Sequence, residues 1–284
     1  MFELRLENAA GDQLTFGVDS PFSVVKIEGI NPPKATINTS QVALIDGELF
    51  NSSKVNMRTI NLAFAIEWEP AKNRIEVYKV LKSKQYVKMY YDGDYRNVYI
   101  EGYVQSIDIS YFEMVQIVTV MIICPAPYFK QAQEIINELK NVVNMFHFPF
   151  SSTASPQLVF GKIGSSDGVD IENEGDVDCG MIIELYARDT IVNPKVYDYV
   201  TGQYIGVVYT MQAADLITID TRQGQKSVKL LRNAVETNLF NYVMSGSTWL
   251  QLPANGSTYV YEVGTGDAGN LVVTFRHNNL YEGV

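Results

Sequence analysis

Two alternating stretches near the end of the chain decide its fold: Asp215-Leu216-Ile217-Thr218-Ile219-Asp220 and Lys226-Ser227-Val228-Lys229-Leu230-Leu231. Apolar and polar side chains alternate along both, which is the period of a β-strand with one buried face. The polar turn Thr221-Arg222-Gln223-Gly224 separates them. This pattern predicts a strand, a turn and a second strand inside a β-sandwich domain that carries no obvious chemistry.

The same kind of segment recurs through the second half of the chain. Gly, Asn and Asp separate short apolar stretches at intervals of about 8–12 residues, a spacing typical of an all-β sandwich or barrel. The candidate strands are 157–160, 168–173, 180–188, 194–198, 203–210, 215–220, 226–232, 248–252, 257–263 and 271–276. We therefore expect a second β-domain over residues 157–284.

The first half also reads mainly as strands, with one change of period. The candidate strands are 2–7, 13–18, 22–28, 59–66, 85–91, 97–110 and 113–124. Residues 74–82 instead space their apolar side chains as an amphipathic helix does. The segment 46–56 is polar and is predicted to be a loop. Two prolines, Pro125 and Pro127, end the domain, because proline interrupts strand pairing.

The pattern divides the chain into a first domain over 1–130, a connecting segment over 131–156 and a second domain over 157–284. Within the connecting segment, residues 130–143 are predicted to form a helix. Its apolar stripe would consist of Ile135, Ile136, Leu139, Val142 and Val143. We expect this stripe to dock onto one of the domains, with a dedicated partner groove as the alternative. Residues 146–156 are predicted to be a linker.

Composition places the chain among globular proteins and argues against several functional classes. Of its 284 residues, 46% are hydrophobic and 19% charged, and the net charge is −10. An acidic chain lacks the basic footprint of a protein that grips nucleic acid or an anionic lipid surface. Neither an apolar run of about 18 residues nor a secretory leader is recognisable. We therefore expect no sequence-specific nucleic-acid binding and no membrane insertion.

Residues that often carry chemistry are few and scattered. The two histidines, His147 and His277, have no nucleophile motif beside them, so a catalytic triad is not expected. The two cysteines, Cys124 and Cys179, lack the spacing of a zinc site and are expected to be buried free thiols, although a disulfide remains open. We predict no catalytic, cofactor-binding or metal-binding residue, and no cofactor.

Four further patterns have a structural and a functional interpretation. An acidic run could bind calcium or could be a solvated strand edge; it comprises Asp167, Asp170, Glu172, Glu174, Asp176 and Asp178. The loop Gly264–Gly269 has the glycine spacing of a phosphate-binding loop, but no helix is predicted after it, so it is interpreted as a hairpin loop. Asp92-Gly93-Asp94 is interpreted as a turn. The aromatic residues Trp249, Tyr259 and Tyr261 could stack on sugars or could fill the core.

Several short motifs, in order, resemble the distal tail (Dit) proteins of long-tailed phages and prophages. In the first half they are Gly29-Ile30-Asn31-Pro32-Pro33, Asp46-Gly47-Glu48-Leu49-Phe50, Arg58-Thr59-Ile60-Asn61-Leu62-Ala63-Phe64, Tyr99-Ile100-Glu101-Gly102-Tyr103-Val104 and Cys124-Pro125-Ala126-Pro127-Tyr128-Phe129. In the second half they are Val192-Asn193-Pro194-Lys195-Val196, the strand from Asp215 to Asp220, and Tyr281-Glu282-Gly283-Val284.

The resemblance implies a mainly β protein with an N-terminal β-sandwich or split-barrel-like domain containing one helix, followed by a C-terminal galectin-like β-sandwich. It implies a homo-hexameric ring at the tail tip, with the first domain around a central channel for DNA. The implied partners are the tail tube protein, the tail-tip protein or tail-associated lysin, and receptor-binding proteins. The implied location is the virion, after synthesis in the bacterial cytoplasm.

Two other functional classes remain as alternatives. A carbohydrate-binding host-adhesion module could use the same β-sandwich, since a shared fold does not carry function with it. An enzyme is the weaker alternative, because no residue set marks an active site. We predict that the chain is a structural component and not an enzyme.

Overall fold

A computed structural model describes residues 3–17, 19–44, 46–113, 115–139, 142–144, 161–163 and 168–284. The chain folds as two compact units. Unit 1 comprises residues 1–132 and 280–284, and unit 2 comprises residues 133–279. The mainly β prediction is confirmed, and α1 is the one α-helix among the described residues. The predicted linker 146–156 and the predicted strand 157–160 lie outside the described residues.

Unit 1 contains ten strands and the helix before the chain enters unit 2. They are β1 (Glu3–Asn8), β2 (Gln13–Phe16), β3 (Phe22–Glu28), β4 (Ala35–Gln41), β5 (Glu48–Val55), β6 (Arg58–Ile66), α1 (Pro70–Val80), β7 (Tyr86–Asp92), β8 (Asn97–Ile109), β9 (Gln116–Cys124) and β10 (Phe129–Gln131).

The later strands are short, as the turn spacing predicted. They are β11 (Ile135–Leu139), β12 (Val142–Asn144), β13 (Gly161–Ile163), β14 (Val169–Ile171), β15 (Cys179–Ala187), β16 (Ile191–Val192), β17 (Lys195–Asp198), β18 (Tyr204–Gly206), β19 (Thr210–Met211), β20 (Leu216–Asp220), β21 (Ser227–Arg232), β22 (Val235–Asn238), β23 (Gln251–Leu252), β24 (Ser257–Glu262), β25 (Leu271–His277) and β26 (Leu280–Tyr281). Short 3-10 turns occur at Phe240–Tyr242 and Ala268–Asn270.

The main sheet of unit 1 runs in the order β2-β1-β7-β8-β9-β6-β3. Neighbouring strands are antiparallel, and alternate side chains of each strand face the core. On β6, for example, Leu62 and Phe64 are fully buried opposite Val120 and Val118 of β9. The first and last strands of the sheet approach each other through the rings of Phe16 and Phe22, whose centroids are 6.0 Å apart.

The predicted helix is present. It starts at Pro70, the residue that the sequence indicated as a tolerated helix start, because the missing N–H of proline needs no partner in the first turn. Asn73 donates a side-chain hydrogen bond to the Trp68 carbonyl, and the helix buries Val77 and Val80.

Two local predictions were wrong. The segment 46–56 is not a loop: residues 48–55 form strand β5, which pairs with β4. Residues 130–143 are not a helix, because β10 and β11 occupy most of the described part and Val142–Asn144 forms β12. The apolar stripe has the spacing of a helix, and long-range strand pairing overrides it. Strand β11 lies alongside β25 with Ile135 opposite His277 and Leu139 opposite Val273, and Ile136 of the predicted stripe is exposed.

Unit 2 is a β-sandwich. One sheet runs β11-β25-β15-β20-β21-β22, with β23 beside β15, and a second runs β14-β24-β17-β18. The hairpin predicted from residues 215–231 is formed by β20 and β21, with Leu216 opposite Leu231 and Asp220 opposite Ser227. The two sheets meet through Tyr259 of β24 and Phe275 of β25, whose ring centroids are 5.2 Å apart. Whether this sandwich is galectin-like stays a prediction.

The last five residues fold with unit 1, although the sequence pattern grouped them with the second domain. Strand β26 pairs with β10, placing Tyr281 opposite Phe129. The buried Arg58 guanidinium donates to four backbone carbonyl groups, which belong to Gly29, Asn31, Pro127 and Glu282. Burial lowers the pKa of Arg58. This arginine therefore ties two loops and the final segment into one unit.

Candidate assembly surface

Strands β4 and β5 form a two-stranded hairpin that pairs with no other strand in the described residues. Its turn contains Gly47, whose φ of 94° lies in the left-handed region that glycine adopts without strain. Nearly every side chain of the hairpin is exposed. An isolated two-stranded hairpin is at best marginally stable in water, so this one needs a partner surface to become rigid.

The strand register gives the hairpin one apolar face. Ile37 lies opposite Ser53, and after a bulge Phe50 lies opposite Thr39. Ile37 and Phe50 are 63% and 65% exposed. Because alternate residues of a strand point to opposite faces, four apolar residues share one side. We call this the apolar hairpin face, and it consists of Ala35, Ile37, Phe50 and Val55.

The opposite face of the hairpin is polar except for the exposed Leu49, and it is held by side-chain hydrogen bonds. Asn38 donates to the Ser52 hydroxyl at 2.9 Å, and Asn56 donates to the Thr36 hydroxyl at 2.7 Å. On the apolar side, toward the turn, hydrogen bonds from Thr39 and Gln41 lower the pKa of Glu48. Exposed apolar surface rimmed by polar groups is typical of a protein–protein contact.

A second exposed aromatic surface lies where α1 meets the turn between β8 and β9. The hydroxyl groups of Tyr78 and Tyr111 are 2.5 Å apart, and the Arg74 guanidinium lies 5.2 Å from the Tyr111 ring centroid. This hydrogen bond raises the pKa of Tyr78. Beside them, Ile75 is 68% exposed and Phe112 is fully exposed. The surface belongs to the helix and hairpin tip together, so neither segment alone reveals it.

Sequence reasoning proposed residues 46–56 and the 85–112 hairpin as sources of ring contacts, but it missed the apolar hairpin face because the surrounding segment is rich in Asn, Ser and Thr. A usable signal was nevertheless present. β-branched residues at Thr36, Ile37 and Thr39 precede the Asp46-Gly47 turn signal, and Phe50 follows it. Strand-forming residues on both sides of such a turn favour a hairpin.

The cysteines and the described histidine, which were considered as candidates for chemistry, do not form a common site. Cys124 and Cys179 are buried free thiols in different units, and burial raises the pKa of each to about 12. His277 is only 1% exposed, and burial lowers its pKa. His147 lies outside the described residues. A buried histidine inside a sandwich is not placed to act on a substrate.

The acidic run lies around β14, and Asp167 lies outside the described residues. Asp170 accepts a hydrogen bond from Thr258, and Asp178 accepts one from the Ala254 amide. Across the part of the chain that the structure describes, no group of three or more His, Cys, Asp or Glu residues is arranged to hold a metal ion.

The remaining candidates fall mainly in turns and in the core. Asp92-Gly93-Asp94 forms the turn between β7 and β8, as predicted. The loop Gly264–Gly269 joins β24 to β25 and runs into the 3-10 turn at Ala268–Asn270. Tyr259 and Tyr261 are buried, whereas Trp249 is half-buried with its ring centroid 5.8 Å from that of Phe240. Of the three aromatic candidates for sugar stacking, only Trp249 reaches the surface.

No described helix combines the length and the apolar character needed to cross a membrane. Two family models match the sequence. One, described as the phage tail protein RIFT-related domain, matches residues 10–124. The other, described as the siphovirus-type tail component, C-terminal domain, matches residues 174–278. Both descriptions name tail components and neither names a catalytic activity. No curated protein matches the sequence.

Solved structures of phage tail proteins share the fold. The crystal structure of the SPP1 Dit protein, described as a paradigm of the hub adsorption apparatus in phages infecting Gram-positive bacteria, superposes with a TM-score of 0.67. The sequences are 12% identical, and the match covers 98% of this chain and 99% of that one. A chain of the phage P2 baseplate, in its activated conformation with calcium, gives a TM-score of 0.55 at 13% identity over all of both chains. A chain of the same baseplate in its activated conformation with strontium gives 0.52 at 12% identity over 97% of each.

Proposed function

Because this chain belongs to the siphovirus-type tail component family of distal tail (Dit) proteins, and so is a structural component of a phage tail, we propose that it forms a closed homo-hexameric ring at the tail tip. The first domain, residues 1–130, would form the ring, and the second β-sandwich would be carried on it. The ring is the baseplate hub of an infectious phage or of a prophage-derived particle.

The exposure of the apolar hairpin face is the observation that supports this proposal most directly. It exposes Ile37 and Phe50 on a hairpin that pairs with no further strand in the part of the chain that the structure describes. In a head-to-tail ring, each subunit offers one surface and receives a different one, and the ring closes when the rotation between copies allows it. We propose that the apolar hairpin face of each copy packs against unit 1 of the next. The aromatic surface of Tyr111 and Phe112 is a second candidate contact.

The proposed partners follow from the position of such a ring. One face would contact the tail tube protein, and the other would contact the tail-tip protein or tail-associated lysin, with receptor-binding proteins attached to the hub. A central channel would let DNA pass. The net charge of −10 suits a lumen that repels phosphate and does not retain DNA. A ring structure with a strongly basic lumen would contradict this point.

The test is the solution mass of the purified chain, measured by size exclusion with light scattering. The proposal expects a particle about six times the chain mass of 31.9 kDa. A stable dimer or trimer would contradict the hexamer. If the isolated chain is monomeric, the same measurement is repeated with the tail tube and tail-tip proteins of the same genome. A chain that stays monomeric with both would contradict the ring.

A further inference from the structure

An open cleft lies in unit 1 between the two ends of its main sheet. The sheet begins at β2 and finishes at β3, and these two strands are not paired with each other. Between them is a cleft of about 1010 Å³. Buried side chains of Leu14, Phe16 and Phe22 contribute to its lining, so its floor is apolar.

Both walls of the cleft are sheet edges. An unpaired edge strand presents a row of backbone N–H and C=O groups to any extended chain that approaches it. On β3 a bulge between Val24 and Lys26 interrupts the edge beyond the cleft, and such bulges discourage further pairing. Both β2 and the first residues of β3 line the cleft. The Ser20 hydroxyl donates to the Thr15 carbonyl and accepts from the Phe22 amide, so a chain that pairs along this part of the edge must displace Ser20.

The charge of the cleft has one sign. Four carboxylate residues line it: Glu3, Asp19, Glu76 and Asp92. Among the described lining residues there is no lysine or arginine. Clefts lined by charge of one sign attract segments of the opposite sign and disfavour like-charged ones.

We propose that this cleft binds an extended, basic segment of a partner protein, which adds to the sheet as a strand beside β2. Successive side chains of a strand point to opposite faces. The bound segment would alternate apolar residues, directed at the floor formed by Leu14, Phe16 and Phe22, with lysine or arginine directed at the acidic rim. Backbone pairing gives such complexes their affinity, and the alternating side chains give them specificity.

A second copy of this chain is a poorer occupant. Its exposed hairpin segment carries Lys34 and Lys54 but also Asp46 and Glu48, so its charge is balanced. The cleft therefore points to a different protein, and the proposal holds whether or not the hairpin builds the ring.

The test measures binding of a fluorescent hexapeptide of alternating lysine and valine to the full-length chain by fluorescence anisotropy. Two control peptides are the glutamate–valine analogue and the lysine–valine peptide N-methylated at alternate residues. The proposal expects saturable binding of the first peptide only. It also expects slower amide hydrogen exchange in Gln13–Phe16 when that peptide is bound.

A charge-matched pair of variants tests the location. The triple variant Glu3→Gln, Asp19→Asn and Glu76→Gln removes three carboxylates from the cleft. The control Glu113→Gln, Glu174→Gln and Asp189→Asn removes three exposed carboxylates elsewhere. We expect at least a tenfold weaker affinity for the first and less than a twofold change for the second. Equal loss in both, equal binding of the N-methylated peptide, exchange protection away from β2, or no binding at all would overturn the proposal.

Discussion

The guanidinium of Arg58 donates a hydrogen bond of 2.6 Å to the backbone carbonyl of Glu282, a residue 224 positions later in the chain. The same guanidinium also donates to the backbone carbonyls of Gly29 and Asn31, so one arginine supplies several hydrogen-bond donors that backbone N–H groups would otherwise provide. Its planar, always charged group carries enough N–H donors for all of these carbonyls. The final segment of the chain is therefore part of the structure of unit 1.

We expect Arg58→Met to destabilise unit 1 by about 2–4 kcal/mol, because it leaves several buried carbonyl groups without a donor. The measurement is urea unfolding followed by Trp68 fluorescence in a Trp249→Phe background. The chain has two tryptophans, so only unit 1 then reports. The exposed Arg188→Met is the matched control and should leave the midpoint unchanged. An unaltered midpoint for Arg58→Met would show that the arginine is dispensable.

We expect the double variant Ile37→Ser and Phe50→Ser to lose the ring and keep its fold. Both side chains are exposed, so their removal should change the free energy of unfolding by less than about 0.5 kcal/mol. Burial of such a pair in an interface contributes several times more. Light scattering gives the particle mass, and Asn38→Ala with Ser52→Ala on the polar face is the control. Ring assembly that survives the apolar change would exclude this face as the contact.

The stability of unit 2 should fall on mild acidification because of His277. Burial lowers the pKa of this imidazole in the folded state, whereas the unfolded chain takes up a proton near pH 6.5. The unfolded state thus binds more protons as the pH drops below about 6.5, so stability rises with pH through this window and falls on acidification. The slope levels off below the folded-state pKa.

The pH effect is measured by urea unfolding of unit 2, followed by Trp249 fluorescence in a Trp68→Phe background, between pH 7 and pH 5. The variant His277→Phe should lack the slope contributed by this residue, and His147→Gln should retain it. A His277→Phe protein with the same pH dependence as the parent would assign the effect to other groups.

Gly102 lies at a close approach between β8 and β9. A Cβ built there would stand 2.7 Å from the Ile122 side chain and 2.7 Å from the Ile123 carbonyl oxygen. Gly102→Ala should therefore destabilise unit 1 by about 1–3 kcal/mol through overpacking. At Gly17 the equivalent space is empty, so Gly17→Ala should be tolerated. Thermal unfolding of the two variants makes the comparison, and equal melting temperatures would contradict it.

The local sequence pattern was sufficient to predict the secondary structure where a segment had one compatible strand partner. The stretch from Asp215 to Leu231 predicted a strand, a turn and a strand, and β20 and β21 pair as expected. It was insufficient at β11, where apolar residues spaced for a helix pair with β25 instead. A short apolar run does not by itself separate helix from strand, and here the outcome depends on strand β25, which is about 140 residues away in the chain.

The apolar hairpin face could not be predicted from the sequence for a related reason, although residues 46–56 were proposed as a source of ring contacts. Ile37 and Phe50 are 13 residues apart and share a face only because the β4–β5 register, including its bulge, aligns them. The cleft between β2 and β3 likewise exists only because the sheet order places these two strands at opposite ends. Neither the strand register nor the sheet order can be predicted from the sequence of a single segment.

The sequence by itself determined the mainly β class, the single helix of unit 1, the paired strands from Asp215 to Leu231 and the family resemblance, because these depend on short-range periodicity and ordered motifs. Tertiary structure alone decided that β4 and β5 form an uncovered hairpin, that the cleft is acidic, and that residues 280–284 fold into unit 1. These features arise from contacts between residues distant in the chain, such as Arg58 and Glu282, and long-range pairing leaves no local pattern to detect.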